Sequence, residues 1–366
     1  MNSLSRGVAA RLPVGPPPEA GSRFRILILK PSSLGDVIQA LPVLRSLKRH
    51  FPQSEIFWWI QTDLAPLLDG DPDLAGLILF DRRRWARPAN WLEIWRSIRS
   101  MRAIRFDWVI DLQCLARSGA FAWLANGKLL AGLDEPREGA RGFYDLAVRR
   151  PSFHTHAVDW YLGVLPALGV PVCRDFEWLP SRPEAAASLR RKCAMPSARW
   201  IAVQPGARWA NKRWPVEFFA ETIRRVAAAV DSTRFAILGG AGDTDLGAVL
   251  AQAVPDRCLD LTGRLTLPEM IECLRACEMI VTNDTGPMHV AAALGKRVVG
   301  LFGPTEPRRT GPYGQLDHVL QAELPCVPCL KSRCSWPRRM ECLRLLTPAR
   351  VVETVTQALA RTPNSE

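Results

Sequence analysis

One polar segment of this sequence combines residue types that bind phosphorylated, hydroxyl-rich compounds. Asn283-Asp284-Thr285-Gly286 follows the apolar run Met279 to Val281, and a small-residue helix is predicted from Pro287 to Leu294. Ligands bind at the carboxyl ends of strands in open α/β sheets. Asp284 can accept hydrogen bonds from sugar hydroxyls, and the N-terminus of the helix attracts phosphate. The segment therefore predicts a site for a ligand that carries both groups.

A second polar segment is rich in cations and also follows an apolar run. Residues 204–215 read Gln-Pro-Gly-Ala-Arg-Trp-Ala-Asn-Lys-Arg-Trp-Pro. Gly206 allows a ligand to approach the backbone closely, while Arg208 and Lys212 supply cations beside a helix that begins near Pro215. This combination predicts a cradle for a diphosphate that needs no metal ion. A basic loop without a ligand is the alternative.

Two further carboxylates follow predicted strands. Asp243 ends the segment Gly-Gly-Ala-Gly-Asp, where a carboxylate can hold a ribose by analogy with dinucleotide-binding folds. Asp36 ends the segment Lys-Pro-Ser-Ser-Leu-Gly-Asp and begins a helix predicted over 36–49. It is either an acid that interacts with the helix dipole or a general base at the mouth of a cleft. The segment before Asp36 matches neither G-x-G-x-x-G nor the Walker motif, which disfavours dehydrogenases and P-loop proteins.

The apolar runs that precede these segments alternate with helical patterns in both halves of the chain. Alternating strands and helices are typical of parallel sheets covered by helices. We therefore predict an α/β protein of two facing Rossmann-like domains with the active site in the cleft between them. The predicted strands are Arg25–Leu29, Ile56–Ile60, Leu77–Phe80, Trp108–Leu112, Trp200–Val203, Arg234–Leu238, Met279–Val281 and Val298–Leu301.

The length of 366 residues favours two domains of roughly 170 residues each. A proline-rich stretch near 171–183 loses periodicity, which indicates a linker. We therefore expect an N-terminal domain over 23–175, a C-terminal domain over 176–346, and a final helix and tail over 347–366. Residues 1–22 contain three consecutive prolines and no apolar core, so they are expected to be a disordered leader and not a secretion signal.

The net charge of +12 comes from 41 Arg and 7 Lys against 36 acidic residues. No apolar run approaches the roughly 20 residues of a membrane-spanning helix, so a cytoplasmic protein is expected. The charge is densest over residues 82–105, the basic patch. This patch is either a solvated helix face or a surface that meets phosphates of lipid headgroups or nucleic acid. It contains Arg82, Arg83, Arg84, Arg87, Arg96, Arg99, Arg102 and Arg105, interleaved with Trp85, Trp91 and Trp95.

Four of the ten cysteines have the spacing C-x2-C-x4-C-x7-C. Closely spaced thiolates can close a tetrahedral zinc site, and a structural zinc is one prediction for this cluster. The alternative is that these cysteines are small buried residues in a proline-rich loop. The cluster consists of Cys326, Cys329, Cys334 and Cys342.

The polar segments together resemble glycosyltransferase family 9, the ADP-heptose–lipopolysaccharide heptosyltransferases. The resemblance rests on the blocks 30–36, 206–215 and 283–289, and it extends over about residues 24–360. The block Arg-Glu-Gly-Ala-Arg at 137–141 and His-Ala-Val-Asp at 156–159 are similar to the heptosyltransferase I branch. Residues 107–118 also resemble the family, with Cys114 in place of its usual Gly and Arg117 in place of its usual Lys.

This resemblance implies a GT-B architecture of two Rossmann-like domains, an inverting mechanism and no required metal or other cofactor. It assigns the catalytic base to Asp36. The donor-binding residues that it implies are Gly206, Arg208, Lys212, Asp243, Asp284, Thr285, Gly286 and His289. Acceptor binding is assigned to Ser33, Gly35, Arg117 and Arg137.

The resulting expectation is a transfer of heptose, or a related sugar, from an ADP-sugar to a lipopolysaccharide core acceptor at the inner leaflet. The basic patch would then dock the protein reversibly on the cytoplasmic membrane surface. Two other interpretations are a sugar-nucleotide-binding module without catalysis and a basic nucleic-acid-binding protein. The second is disfavoured because no RNA-binding motif accompanies the basic patch.

Overall fold

Two six-stranded parallel sheets form the framework of the protein, as the sequence predicts. The computed structural model describes residues 24–85, 88–135 and 138–360. The N-terminal sheet has the order β3-β2-β1-β4-β5-β6. Its strands are β1 (Arg25–Leu29), β2 (Glu55–Gln61), β3 (Gly76–Phe80), β4 (Trp108–Asp111), β5 (Leu129–Asp134) and β6 (Leu146–Arg149).

The C-terminal sheet repeats this arrangement, with the order β12-β11-β10-β7-β8-β9. All neighbouring strands pair in parallel, and β10 and β7 lie at the centre. The strands are β7 (Arg199–Gln204), β8 (Thr233–Ile237), β9 (Cys258–Asp260), β10 (Met279–Asn283), β11 (Arg297–Phe302) and β12 (Val319–Gln321).

Helices connect the strands and cover the sheets. The helices of the N-terminal half are α1 (Leu34–His50), α2 (Ala65–Leu68), α3 (Arg82–Trp85), α4 (Trp91–Ile104), α5 (Ala116–Leu124), α6 (Ala157–Leu162) and α7 (Val164–Ala167). Those of the C-terminal half are α8 (Pro183–Lys192), α9 (Val216–Ala229), α10 (Thr244–Ala251), α11 (Leu267–Ala276), α12 (Gly286–Ala293), α13 (Pro307–Thr310), α14 (Glu341–Arg344) and α15 (Pro348–Ala360). Within the described ranges, no helix is both long and apolar enough to cross a membrane.

The eight strands that the sequence predicts all form, while four others carry a weaker signal. The edge strands β6, β9 and β12 span only three or four residues, which is too short for a clear apolar run. Strand β5 contains Gly132, a residue depleted in strands. Pairing with a strand that is already in place, rather than their own composition, fixes these four segments.

The chain passes from the first sheet to the second between α7 and α8, over residues 168–182. This connection lies against α1, where the Arg49 side chain donates to the backbone oxygen of Asp175 at 2.7 Å. One cluster of buried apolar side chains extends from the N-terminal sheet through α1 and α6 into α11 and α12. The predicted domain division at 175/176 falls within the connection. Residues 1–22, the predicted leader, lie outside the described residues.

Candidate active site

Two adjoining cavities lie where residues that follow strands of both sheets come together. The first measures about 440 Å³, and among its lining residues are Ser33, Gly35 and Asp36 from the first half and Arg208, Lys212, Asp284, Thr285, Gly286 and His289 from the second. The second measures about 360 Å³ and is lined by Gly206, Arg208, Asp243 and Thr285, among others. Because Arg208 and Thr285 line both, the two cavities form one continuous site. The structure thus brings together residues that lie far apart in the sequence, such as Ser33 and His289, which are separated by 256 positions.

Asp36 lies in the first turn of α1, at the end of β1. Its Oδ2 accepts hydrogen bonds from the Ser33 backbone N–H at 2.9 Å and from the Ser33 hydroxyl at 2.7 Å. Tyr161 of α6 donates to Oδ1 at 3.4 Å, and Nζ of Lys30 lies 4.0 Å from the same oxygen. The side chain is surrounded by protein atoms, yet 40% of its surface is exposed to the cleft. Asp36 is thus held in one orientation and remains accessible.

The charges around Asp36 keep it ionised. Burial would raise the pKa of Asp36, but the positive charge of Lys30 and the hydrogen bonds from Ser33 outweigh burial and hold that pKa below its ordinary value. Burial would lower the pKa of Lys30, yet Tyr161 and Asp36 raise it. Burial raises the pKa of Tyr161 to about 12, so its hydroxyl keeps its proton. At neutral pH the cluster therefore holds an ammonium, a carboxylate and a phenol.

Lys30 and Tyr161 are functional candidates that the sequence analysis did not single out. Lys30 follows β1 directly, is buried, and donates to the Leu112 backbone oxygen at 2.9 Å. A lysine at the end of a buried strand is itself an unusual signal, since lysine is almost never fully buried unless paired. Tyr161 has no comparable signal, because only folding brings α6 beside β1.

Lys212 and Asp284, from the second half of the chain, form an ion pair that lines the same cavity. The Lys212 ammonium donates to Oδ2 of Asp284 at 2.6 Å, and the Thr305 hydroxyl donates to that oxygen at 2.6 Å as well. Only 7% of the Asp284 side chain is exposed, against 18% for Lys212. Thr305 follows β11 and was not predicted. The pair places a cation and a carboxylate at the N-terminus of α12, where an anionic ligand is attracted.

Asn283 fixes the basic loop against strand β10. Its amide donates to the Pro205 backbone oxygen at 2.7 Å, and its side-chain oxygen accepts from the Trp214 backbone N–H at 3.0 Å. The residue is completely buried. These two bonds span the loop that carries Arg208 and Lys212. Asn283 is therefore a positioning residue, and its place directly before Asp284 was its only sequence signal.

Gly35 and His289 approach each other closely where the two halves meet at the site. A methyl group on Gly35 would lie 2.3 Å from Cδ2 of the His289 ring, so no larger residue fits at position 35 without displacement. Gln39 places its amide nitrogen 3.3 Å from Nδ1 of His289. Burial lowers the pKa of His289 to about 4, so the ring is neutral at neutral pH. His289 therefore contributes shape and hydrogen bonding to the cavity, and no positive charge.

The second cavity has apolar walls and a polar entrance, as a nucleoside site requires. Leu238, Leu261, Leu265 and Met270 are among its lining residues. Asp243 lies at the entrance, where Oδ2 accepts from the Gly240 N–H at 3.0 Å. A Cβ atom on Gly206 would lie 2.4 Å from that oxygen, so glycine is required for this approach of the two loops. The predicted ribose carboxylate and diphosphate loop are therefore neighbours.

The predicted acceptor residues are less closely grouped. Ser33 and Gly35 line the first cavity. Arg117 is exposed in the first turn of α5, at the same edge of the N-terminal sheet but outside the lining of the two cavities. Arg137 lies outside the described residues.

The four cysteines of the predicted zinc cluster line one cavity of about 280 Å³. All four thiols are free, and burial raises the pKa of Cys342 to about 11. In the part of the chain that the structure describes, no three His, Cys, Asp or Glu side chains are placed to share a metal ion. Zinc binding stays a prediction of the spacing alone.

Comparison with known proteins decides the family. A model of glycosyltransferase family 9 (heptosyltransferase) matches residues 94–339. The lipopolysaccharide heptosyltransferase 1 of Pseudomonas aeruginosa is 32% identical over 327 residues, which are 86% of this chain and 88% of that protein. The chain belongs to glycosyltransferase family 9. The similarity to the heptosyltransferase I branch, predicted from short blocks of sequence, is confirmed.

Other relatives of this family 9 glycosyltransferase agree in fold and length. The lipopolysaccharide core heptosyltransferase OpsX of Haemophilus influenzae is 24% identical, with 81% of this chain and 83% of that protein covered. The solved structure of ADP-heptose lipopolysaccharide heptosyltransferase II of Escherichia coli covers 92% of this chain and 98% of its own, with a TM-score of 0.74 and 24% identity. That of the E. coli heptosyltransferase WaaC with ADP gives a TM-score of 0.74 at 23% identity, with 92% and 100% covered. The predicted two-domain GT-B fold is confirmed.

Proposed function

We propose that this family 9 glycosyltransferase moves a heptose from ADP-heptose to a lipopolysaccharide core acceptor, with inversion at the anomeric carbon. The observation that supports the proposal most directly is the single cavity that Asp36 from the first half shares with Lys212 and Asp284 from the second. The names of its relatives, which include heptosyltransferases and one solved with ADP, support this donor and acceptor.

The donor would lie along the two adjoining cavities. Its adenosine would occupy the apolar second cavity, with a ribose hydroxyl donating to Asp243. The diphosphate would then meet Arg208, Lys212 and the N-terminus of α12, which begins at Gly286 after Thr285. This order leaves the heptose in the first cavity, where Asp284 and His289 can bond its hydroxyls.

The transfer step needs a base and a stabilised leaving group on opposite sides of the anomeric carbon. Asp36 would take the proton of the acceptor hydroxyl as that oxygen forms the new bond to the anomeric carbon. The bond from this carbon to the phosphate oxygen breaks, and ADP leaves with the electron pair. Arg208 and Lys212 would stabilise the charge that develops on the diphosphate. A single displacement from the face opposite the diphosphate inverts the anomeric configuration.

The acceptor would approach from the N-terminal half. Ser33 and Gly35 lie beside Asp36 in the cavity, and the cations Arg117 and Arg137 belong to the segments that follow β4 and β5. Cations in these segments suit an acceptor that carries phosphate or carboxylate groups. We assign acceptor binding to these four residues.

The proposed location of the enzyme is the cytoplasmic surface of the membrane. Trp91 and Trp95 on α4 are 62% and 50% exposed, and Leu92 beside them is 46% exposed. Arg96 and Arg99 are exposed on the same helix. Tryptophan favours the membrane interface and arginine attracts anionic headgroups, so this face suits reversible docking on the leaflet that holds the acceptor. Trp85 packs against Phe121 and does not belong to this surface, and Arg87 lies outside the described residues.

The direct test is a transfer assay followed by mass spectrometry. Purified protein is incubated with lipopolysaccharide from a heptose-deficient strain and with ADP-, UDP- or GDP-linked sugars. We expect the mass of one heptose to be added with ADP-heptose, and Asp36→Asn to lose on the order of 10²- to 10³-fold in turnover. The configuration of the new bond, read by NMR, should be opposite to that of the donor.

Asp63→Asn is the matched control, since this carboxylate is exposed in the same half of the protein and outside the cavity. It should retain normal turnover. Wild-type turnover in Asp36→Asn, with an unchanged circular dichroism spectrum, would contradict the assignment of the base. Tight binding of ADP-heptose without transfer by the wild type would instead identify a sugar-nucleotide-binding module.

A further inference from the structure

A fourth cavity, of about 400 Å³, is rich in arginine. Arg149 and Arg150 at the end of β6 line it together with Arg309 of α13, from the other half of the protein. Ser152 and Phe153 are further lining residues. None of these residues belongs to the predicted site.

The acidic residues of this cavity are already paired. Asp134 lies 3.8 Å from Arg149, and Glu135 lies 3.7 Å from Arg309. Arg150, by contrast, forms no ion pair with any described residue. Three arginines facing two paired carboxylates leave a positive charge without compensation.

Arg150 is held in place but its hydrogen-bonding capacity is not used. Its guanidinium carbon lies 4.2 Å from the ring centre of Trp160, which fixes the plane of the group. Nε and Nη1 are buried and have no hydrogen-bond partner among the described residues. Buried donors are paired in most folded proteins, so Arg150 is a lining residue whose donors are not used by the described part of the protein.

The like charges of Arg150 and Arg309 also act on each other. Burial lowers the pKa of Arg150, and the charge of Arg309 lowers it further. An anion between the two guanidinium groups would remove this repulsion. It would at the same time join the two halves of the protein, because the groups come from opposite sides of the cleft.

The distance from Asp36 defines what part of a substrate can reach this cavity. Both sites lie at the carboxyl ends of strands in one sheet, Asp36 after β1 and Arg150 after β6. Three strand spacings separate β1 from β6, which amounts to about 14 Å. An anionic group bound here is therefore remote from the hydroxyl that reacts, but within reach of the same oligosaccharide.

We infer that the cavity between Arg150 and Arg309 binds an anionic group, carboxylate or phosphate, of the acceptor. This inference rests on the proposed function and specifies how the acceptor is recognised. Two planar guanidinium groups match the oxygens of either anion. Because one arginine comes from each half, an acceptor bound here would contact both halves of the protein.

Acceptor binding to the ADP-loaded protein tests this site, by titration calorimetry with deacylated lipopolysaccharide from a heptose-deficient strain. Arg150→Gln should weaken binding on the order of 10- to 100-fold, the loss of a hydrogen bond to a charged group. The affinity of Arg150→Lys for the acceptor should lie between those of the wild type and Arg150→Gln, because lysine keeps the positive charge. Arg190→Gln, which changes an exposed arginine on α8, should bind normally.

Two modified acceptors identify the anion, one dephosphorylated and one with its carboxyl groups reduced. The modified acceptor that lacks the recognised group should bind the wild type as weakly as the intact acceptor binds Arg150→Gln. Its affinity for Arg150→Gln should be no lower than its affinity for the wild type. The inference would be overturned if Arg150→Gln weakened the binding of the intact acceptor and of both modified acceptors equally. It would also be overturned if the substitution weakened the binding of none of them.

A separate measurement covers the case in which the wild type binds no acceptor and the proposed function fails. Inorganic phosphate is then added to the protein saturated with ADP, and the melting temperature is recorded. A rise in Tm that is present in the wild type and absent in Arg150→Gln and Arg309→Gln supports an anion site at this position. The same rise in all three proteins contradicts it.

Discussion

A buried lysine is one of the groups that lower the pKa of Asp36. Lys30 lies behind the carboxylate, 4.0 Å from Oδ1, and keeps its own charge because Tyr161 and Asp36 surround it. A base that stays ionised is always ready to accept a proton. The lowered pKa also means that the carboxylate has a low affinity for the proton. The hydrogen bonds from Ser33 offset this disadvantage by holding the carboxylate in one orientation.

Replacing Lys30 by methionine should move the acid limb of the pH–rate profile to higher pH. Without the cation, less of the effect of burial is offset, and the pKa of Asp36 rises from its lowered value. Activity is lost as the pH falls through this pKa, so the loss begins at higher pH than in the wild type. The measurement is kcat/KM for transfer as a function of pH.

Lys128→Met is the control for this variant, because Lys128 is 83% exposed and pairs with Asp107 away from the cavity. Its profile should coincide with that of the wild type. An unchanged acid limb in Lys30→Met would show that Lys30 does not set the charge of Asp36.

At the scale of elements, the site depends on how closely helices α1 and α12 approach each other. These two helices carry Asp36 and the proposed phosphate-binding N-terminus, and Gly35 meets His289 where they touch. The apolar cluster that continues from α1 into α12 holds the helices together. The distance between the proposed base and the proposed diphosphate site is therefore a property of this packing.

Gly35→Ala should lower both stability and transfer. The added methyl group overlaps the His289 ring, and overpacking of this kind costs about 1–3 kcal/mol. Separation of the helices by a few tenths of an ångström to 1 Å should lower kcat/KM on the order of 10- to 100-fold. Thermal unfolding and transfer kinetics measure the two effects.

Gly142→Ala serves as the control, since a methyl group there meets no atom within 4 Å. The double substitution Gly35→Ala/His289→Ala should recover Tm, because it removes the overlapping ring, without recovering transfer. If Gly35→Ala has wild-type Tm and kinetics, the contact does not set the geometry of the site.

For the whole molecule, the exposed tryptophans of α4 and the proposed acceptor edge both belong to the N-terminal half. The Trp91–Arg99 face should bind anionic liposomes in a salt-sensitive way, at about 1 kcal/mol for each arginine near the surface. Reversing Arg83, Arg96 and Arg99 to Glu should weaken binding more than 100-fold at low salt. Cosedimentation with vesicles that contain phosphatidylglycerol measures the effect.

Arg190→Glu/Arg191→Glu makes a similar change on exposed residues of α8, in the C-terminal half, and should bind vesicles normally. Binding of ADP-heptose should be unchanged in both proteins, because the donor cavity lies in that other half. Equal vesicle binding by the wild type and the variant with Arg83, Arg96 and Arg99 reversed would show that this face is only solvated.

The sequence by itself determined the class of fold and predicted most of the residues of the proposed donor site. Alternating apolar runs predict parallel strands, and polar residues after such runs must gather at the carboxyl edge of a sheet. The order of residues along the chain was therefore enough to predict that five side chains gather at this edge, and these side chains line the two cavities. They are Asp36, Arg208, Lys212, Asp243 and Asp284. The sequence did not predict the short edge strands, because pairing with neighbouring strands, rather than their own residues, stabilises them.

Only the tertiary structure decided which side chains surround Asp36. Tyr161 lies 125 residues from Asp36 in the sequence, and Thr305 and Asn283 act through contacts that no local pattern encodes. The same is true of Arg150 and Arg309, which come together because β6 and α13 face each other across the cleft. Hydrogen bonds and charge interactions act over a few ångströms, so the folded distance between residues, and not their separation along the chain, determines the chemistry of the site.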